Sequence, residues 1–298
     1  MLHLKTNKII ITTDFSETSY LAIKHGAFLA KYTKGEVFLV HVITKHWEKF
    51  NVFTPSITLD NIEKASDAVQ KKLEELAADI REEYAVNVTT VVNSGNPTTE
   101  IVNIAEELEA DLIVMGTHGY TAWEDLTIGS NALKVITKSP CPVMTMSERA
   151  EKFGYKKIVL PIDTSEHSRQ KVNYTLELAK QFNAHVYVLG LLSEVEEPKS
   201  EQVNLILHQI SELASDMGVI CDIELEMNVK NRAVSTVKYC EKINGDLISI
   251  MTDQDAELSG FFIGPYSLQV IHHAKVPVLS IKPEEHPENI DWSILAGT

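Results

Sequence analysis

The chain carries one unit twice, and that duplication limits its fold more than any single motif does. The stretch Lys8-Ile9-Ile10-Ile11-Thr12-Thr13-Asp14-Phe15-Ser16-Glu17 recurs as Lys157-Ile158-Val159-Leu160-Pro161-Ile162-Asp163-Thr164-Ser165-Glu166, with Asp14 and Asp163 149 positions apart. Further on, Ala110-Asp111-Leu112-Ile113-Val114-Met115 recurs as Gly245-Asp246-Leu247-Ile248-Ser249-Ile250 at a spacing of 135. The same spacing carries Ser139-Pro140-Cys141-Pro142-Val143-Met144 onto Ala274-Lys275-Val276-Pro277-Val278-Leu279 without a gap. Two domains follow, 1–148 and 155–283, joined by a short polar segment around 148–155 and followed by a solvated tail, 284–298.

Within the first copy, apolar runs at 9–13, 36–42, 86–92, 112–115 and 143–146 alternate with helical stretches at 18–32, within 59–83, at 98–108 and from Ser130 onward. The second copy places strands near 157–161, 185–191, 220–227, 247–251 and 278–281. Continuous apolar strands are buried on both faces, and strand-helix alternation gives right-handed parallel crossovers. The expected fold is α/β, two doubly wound five-stranded parallel sheets, with ligands at the carboxyl ends of the strands where the strand order reverses.

Charge narrows the partners. Acidic residues outnumber basic ones 42 to 27, for a net charge of −15. Such a field disfavours nucleic acid and anionic lipid but leaves a small anion possible, since backbone amides at a helix start bind phosphate without basic side chains. The polar start and the lack of a long apolar run point to a cytoplasmic protein that does not enter membranes. Cys141, Cys221 and Cys240 are widely spaced, with no CxxC pair, and are expected to be reduced, mostly buried and structural.

The chemistry concentrates after the fourth strand. Gly116-Thr117-His118-Gly119 is followed by nine residues and then by Gly129-Ser130, which opens a helix. Gly116 permits close approach of a sugar or base, Gly119 exposes an amide, and Gly129-Ser130 adds amides at the positive end of a helix dipole. Neither a Walker-type loop nor a dinucleotide fingerprint is present. His118 reads as a solvated loop residue, His41 as a strand-end histidine open to hydrogen bonding, and His272-His273 as positive charge at a helix C-terminus. Trp123, Glu124 and Asp125 lie in the nine-residue insert, where Trp123 either covers a ligand or packs the loop. Lys71, Lys72, Glu74 and Glu75 read as a solvated helix face.

Gly116, Gly119, Gly129 and Ser130 fit without a gap the glycine signature of the universal stress protein family, which the chain resembles in its tandem form from about Lys8 to Lys282. Thr13-Asp14-Phe15-Ser16, Val40-His41-Val42 and Ser139-Pro140-Cys141-Pro142-Val143 match as well. The resemblance implies the strand order 3-2-1-4-5 and ATP bound in the first copy, with a divalent ion such as Mg2+ held through its phosphates. It implies that Thr13, Asp14, Val42 and Met115 border the adenosine, that Gly116 and His118 lie by the ribose or phosphates, and that Gly119, Gly129, Ser130 and Asn131 hold phosphate. It implies a regulatory binder with little or no hydrolysis and no catalytic residue. The rivals are a slow ATPase and a nucleotide-independent interaction protein. The resemblance also implies an internal pseudo-dimer, pairing through 142–146 and 277–281, and leaves room for a homo-oligomer.

The second copy departs from the signature. Met251, Asp253, Gln254 and Pro265 stand where the first copy has Gly116, His118, Gly119 and Ser130, and Gly264 alone persists. Met251 is expected to fill the base or ribose space, Asp253 to repel phosphate and Pro265 to remove an amide, leaving a structural or regulatory half.

Overall fold

The computed structural model describes residues 7–44, 59–117, 129–150, 152–165, 167–252 and 263–283. The chain divides into two compact units between Glu148 and Arg149. Each unit is an α/β layer built on parallel strands.

The first unit runs β1 (Lys8–Thr12), α1 (Glu17–Thr33), β2 (Glu36–Ile43), α2 (Leu59–Tyr84), β3 (Val88–Ser94), α3 (Pro97–Glu107), β4 (Leu112–Gly116), α4 (Ser130–Lys138) and β5 (Val143–Met146). Its strands lie in the order β3-β2-β1-β4-β5, all parallel. The second unit runs β6 (Lys157–Ile162), α5 (Lys171–Phe182), β7 (His185–Leu191), α6 (Ser200–Asp216), β8 (Ile220–Glu226), α7 (Arg232–Lys242), β9 (Leu247–Met251), α8 (Pro265–His273) and β10 (Val278–Ile281). Short 3-10 turns at His167–Arg169 and Glu194–Lys199 precede α5 and α6. Its order, β10-β9-β6-β7-β8, is again 3-2-1-4-5 when counted within the unit.

Sandwiching between helices explains the apolar strands: Ile9, Ile10 and Ile11 of β1 and Ile158, Val159 and Leu160 of β6 are fully buried. Helix starts are set by short polar side chains. Ser16 accepts from the Ser19 amide, Asn96 from Thr99 and Asn231 from Val234, each satisfying a first-turn N–H that has no partner within the helix. α1 and α5 end on Lys34 and Asn183 in the left-handed conformation.

The repeated aspartate has a structural reason. Asp111 accepts from the amides of Asn7 and Lys8 at 2.9 and 3.0 Å, and Asp246 from those of Lys156 and Lys157 at 2.8 and 2.9 Å. Each aspartate thereby ties the amino end of its unit's first strand to the segment leading into the fourth, opposite the end where ligands are expected.

Helix and sheet meet closely at Gly26 of α1, where an added Cβ would fall 2.5 Å from Ile11 Cδ1. The matching position of α5 is Thr175, whose hydroxyl lies 2.8 Å from the Ser249 hydroxyl, so a buried polar pair replaces close apolar contact. Cys240 is buried, and Cys141 and Cys221 are partly so, in keeping with the expectation of mostly buried thiols. All three are free, and burial pushes the thiols up to about 11, 11 and 12 for Cys141, Cys221 and Cys240, so they stay protonated and unreactive at neutral pH. Among the described residues no helix is long and apolar enough to cross a membrane.

Candidate functional site

The strand order of the first unit reverses between β1 and β4, and the polar residues singled out in the sequence gather at the carboxyl ends of these strands. Thr13 and Asp14 follow β1, Val42 is the penultimate residue of β2, and Met115 and Gly116 end β4. Gly129 caps α4, with Ser130 and Asn131 as its first helical residues. His118 and Gly119, with Trp123, Glu124 and Asp125, lie outside the described residues.

Thr13 is held from three sides. Its amide donates to Val40 O at 2.9 Å, its hydroxyl sits 3.0 Å from that of Ser19, and the Phe15 amide donates to the same hydroxyl at 3.0 Å. Asp14 is exposed, and its Oδ1 accepts from the Ser16 amide at 3.0 Å and the Ser16 hydroxyl at 2.5 Å. This clamp fixes the turn into α1 and presents a carboxylate at the strand end.

Phe15 has φ 64°, a left-handed backbone that a bulky side chain rarely adopts. Its ring is sandwiched, stacked on His41 at 4.7 Å between centroids, with Lys72 Nζ of α2 4.1 Å from the ring centre. His41 Nδ1 lies 2.8 Å from Thr13 O; a carbonyl can only accept, so the proton sits on Nδ1. Burial lowers the His41 pKa, with a smaller push from Lys72, against the opposing pull of Thr13 O and Asp14. Lys72 is exposed, as the reading of a solvated helix face expects, and its ammonium reaches over the Phe15 ring from that face.

Gly116 is needed for a reason the sequence does not display. A Cβ there would lie 2.9 Å from Thr18 Oγ1 and 3.2 Å from the Thr18 backbone carbon, so the glycine lets the first turn of α1 pack on the end of β4. Its neighbour Thr117 is buried and donates both its amide, at 2.8 Å, and its hydroxyl, at 3.1 Å, to Met146 O. The Gly129 amide then donates to Thr117 O at 2.7 Å, bringing the start of α4 to the strand end. The first intrahelical bond is Leu133 N–H to Gly129 O, so the amides of the first turn have no helical acceptor. Among the described residues no side chain caps them, the first turn contains no acidic residue, and Ser130 and Asn131 are exposed. This is the positive end of a helix, brought to the switch in strand order.

Two stretches of the chain, 5–146 and 154–282, match the universal stress protein family. The chain belongs to that family. Universal stress protein MJ0531 of Methanocaldococcus jannaschii is 34% identical over 151 residues, which are 47% of this chain and 82% of that protein. Universal stress protein YxiE of Bacillus subtilis is 30% identical over 143 residues, 46% of this chain and 97% of that protein. Each spans about half of this chain, as expected for a tandem member of the universal stress protein family. The crystal structure of a universal stress protein from Archaeoglobus fulgidus follows the fold over 93% of this chain and 99% of its own, with a TM-score of 0.75 at 20% identity.

The second unit keeps the architecture and changes the site. Gly264 N–H donates to Thr252 O at 3.2 Å, as Gly129 does to Thr117. Met251 is wholly buried and its carbonyl accepts from Ser267 Oγ at 2.6 Å. A separate groove of about 540 Å³ flanks the outer strand of this unit, between β8 and α7. Charges along it are partly paired, Lys242 with Glu224 at 3.1 Å and Ser235 with Glu226 at 2.9 Å, and it lies away from the switch in strand order.

Proposed function

We propose that the first unit binds an adenine nucleotide, ATP, at the carboxyl ends of β1 and β4, and that the protein acts by binding and not by turnover. The observation that carries this reading is the start of α4: without a capping side chain among the described residues, free of acidic residues in its first turn and drawn to the end of β4 by the bond from Gly129 to Thr117. Backbone amides there suit phosphate oxygens in a chain whose net charge of −15 otherwise repels them.

In this reading Thr13, Asp14, Val42 and Met115 border the adenosine. Gly116 and His118 lie by the ribose or phosphates, and Gly119, Gly129, Ser130 and Asn131 hold phosphate. A divalent ion such as Mg2+ would be carried in on the phosphates and supply charge neutralisation. Asp14, exposed and fixed by Ser16, suits a hydroxyl donor such as a ribose. The His41 imidazole, with its Nδ1 proton committed to Thr13 O, serves as a wall and not as a proton carrier. Occupancy would bias a conformational or interaction equilibrium, which requires unequal ATP affinity in the two states.

The test is thermal unfolding of the full chain with and without Mg2+ and ATP, paired with a phosphate-release assay. At about a hundred times the dissociation constant the first unit's transition should rise by about 5 to 10 °C without sustained phosphate release. An unshifted transition at millimolar ATP would point to a nucleotide-independent interaction protein, and continuous phosphate release to an ATPase.

A further inference from the structure

The strand ends of the second unit are filled from within. Asp163, which follows β6 as Asp14 follows β1, is only 4% exposed. Its Oδ1 is held by the Ser165 amide at 2.9 Å and hydroxyl at 2.6 Å, the clamp seen in the first unit. Arg232, in the first turn of α7, approaches Asp163 Oδ2 with Nη1 at 3.8 Å. Its Nη2 donates to both oxygens of Glu196, each at 2.5 Å.

Glu196 is prepared for that contact. It sits in the 3-10 turn after β7, where its Oε2 accepts from the Ser193 amide at 3.0 Å and hydroxyl at 2.5 Å, and its Oε1 from the Thr164 hydroxyl at 3.1 Å. Burial pushes this carboxyl up, but the bonds from Ser193 and Arg232 outweigh it and hold it at about 2, so it is ionised throughout the physiological range. On the fourth side Tyr266, in the first turn of α8, is buried and its hydroxyl lies 3.0 Å from that of Thr236. Tyr266 occupies the position that Asn131 holds in α4, so the second helix start carries a buried ring where the first carries an exposed amide side chain.

Asp163, Glu196, Arg232 and Tyr266 thus come one each from the segments following β6, β7, β8 and β9. Two carboxylates facing one guanidinium select a planar cation with several donors, and they repel a phosphate. We propose that the strand-end crevice of the second unit is a guanidinium site that the chain fills with its own Arg232. The position matching Arg232 in the first unit is Pro97, which has no charge to offer, so one fold holds an anion-ready end in one copy and a self-occupied cation site in the other. This inference stands whether or not the first unit binds nucleotide.

The test uses Arg232→Ala in the full chain, followed by thermal unfolding with added methylguanidinium or, as control, methylammonium at equal concentration below the denaturing range. Removing the guanidinium leaves Glu196 without its cation and Asp163 facing only the buried Lys171, so the second unit's transition should fall by about 5 to 15 °C. Methylguanidinium should restore much of that loss, methylammonium little, and wild type should respond to neither. Arg232→Lys should unfold a few degrees below wild type, because an ammonium lacks the planar fork; it decides the matter if Arg232→Ala does not fold. Wild-type stability in either variant, or equal recovery by the two cations, would overturn the proposal.

Discussion

The two units share strand order, helix order and the aspartate that follows the first strand, yet they treat that aspartate in opposite ways. Asp14 is exposed, whereas Asp163 is buried against Arg232. The turn itself does not make the difference, since the same serine clamp holds both carboxylates. What differs is what the neighbouring helices bring: Pro97 and Asn131 in the first unit, Arg232 and Tyr266 in the second. A fold that places helix starts around a common strand edge can turn that edge from anion-ready to cation-filled by changing a few first-turn residues.

The largest expected effect concerns Lys171, which stands where the first unit has the buried Ala22. It is fully buried and donates to Ser168 O at 2.7 Å, and burial holds its ammonium down at about 7 against the pull of Asp163. The unfolded chain keeps that proton to about 10.4, so between these values it binds more protons than the folded one and stability rises with pH. Lys171→Met should stabilise the second unit by on the order of 3 kcal/mol at pH 7 and below, and abolish its share of that rise. Denaturant unfolding of both proteins from pH 6 to 10 would show it; parallel curves would mean that the lysine finds its charge at no cost.

Next comes Gly116→Met, which gives the first unit the residue of the second. The side chain collides with Thr18, and the first unit should lose about 1 to 3 kcal/mol together with nucleotide binding. Equal denaturant midpoints for variant and wild type would show that α1 can shift to make room. Asn131→Asp adds an acidic group to the first turn of α4 without touching the core. Calorimetry should show ATP affinity falling by about tenfold with the unfolding midpoint nearly unchanged. The smallest effect is expected from Lys72→Ala, which removes the cation above Phe15 and should destabilise the first unit by about 0.5 to 1 kcal/mol, read by denaturant unfolding.

Much of this was legible in the residues. Uninterrupted apolar runs such as 9–11 and 158–160 report burial on both faces, strand-helix alternation gives the parallel crossovers, and the two repeat spacings report duplication, whereas the strand order came from the family resemblance. The spacing from Gly116 to Gly129 marks where a helix start returns to a strand end. Thr18 was not visible as the partner of Gly116, because the contact depends on how α1 packs on β4. Nor was the set of Arg232, Asp163 and Glu196, whose members lie more than thirty residues apart and meet only at the strand edge. One signal was available: comparing the copies position by position shows charge entering at 171 and 232, where the first copy has Ala22 and Pro97. Met251, expected to fill the base or ribose space, is fully buried at the end of β9, and Arg232, Glu196 and Tyr266 join it at the strand ends without any signal from the glycine signature.

The contrast between the units is tested most directly by the stoichiometry of ATP binding, measured by calorimetric titration of the full chain with Mg2+ present. The account predicts saturation at one ATP per chain, unchanged in Arg232→Ala, whose vacated crevice still presents Asp163 and Glu196. Two equivalent ATP molecules per chain would contradict it, as would saturable binding that Gly116→Met leaves intact.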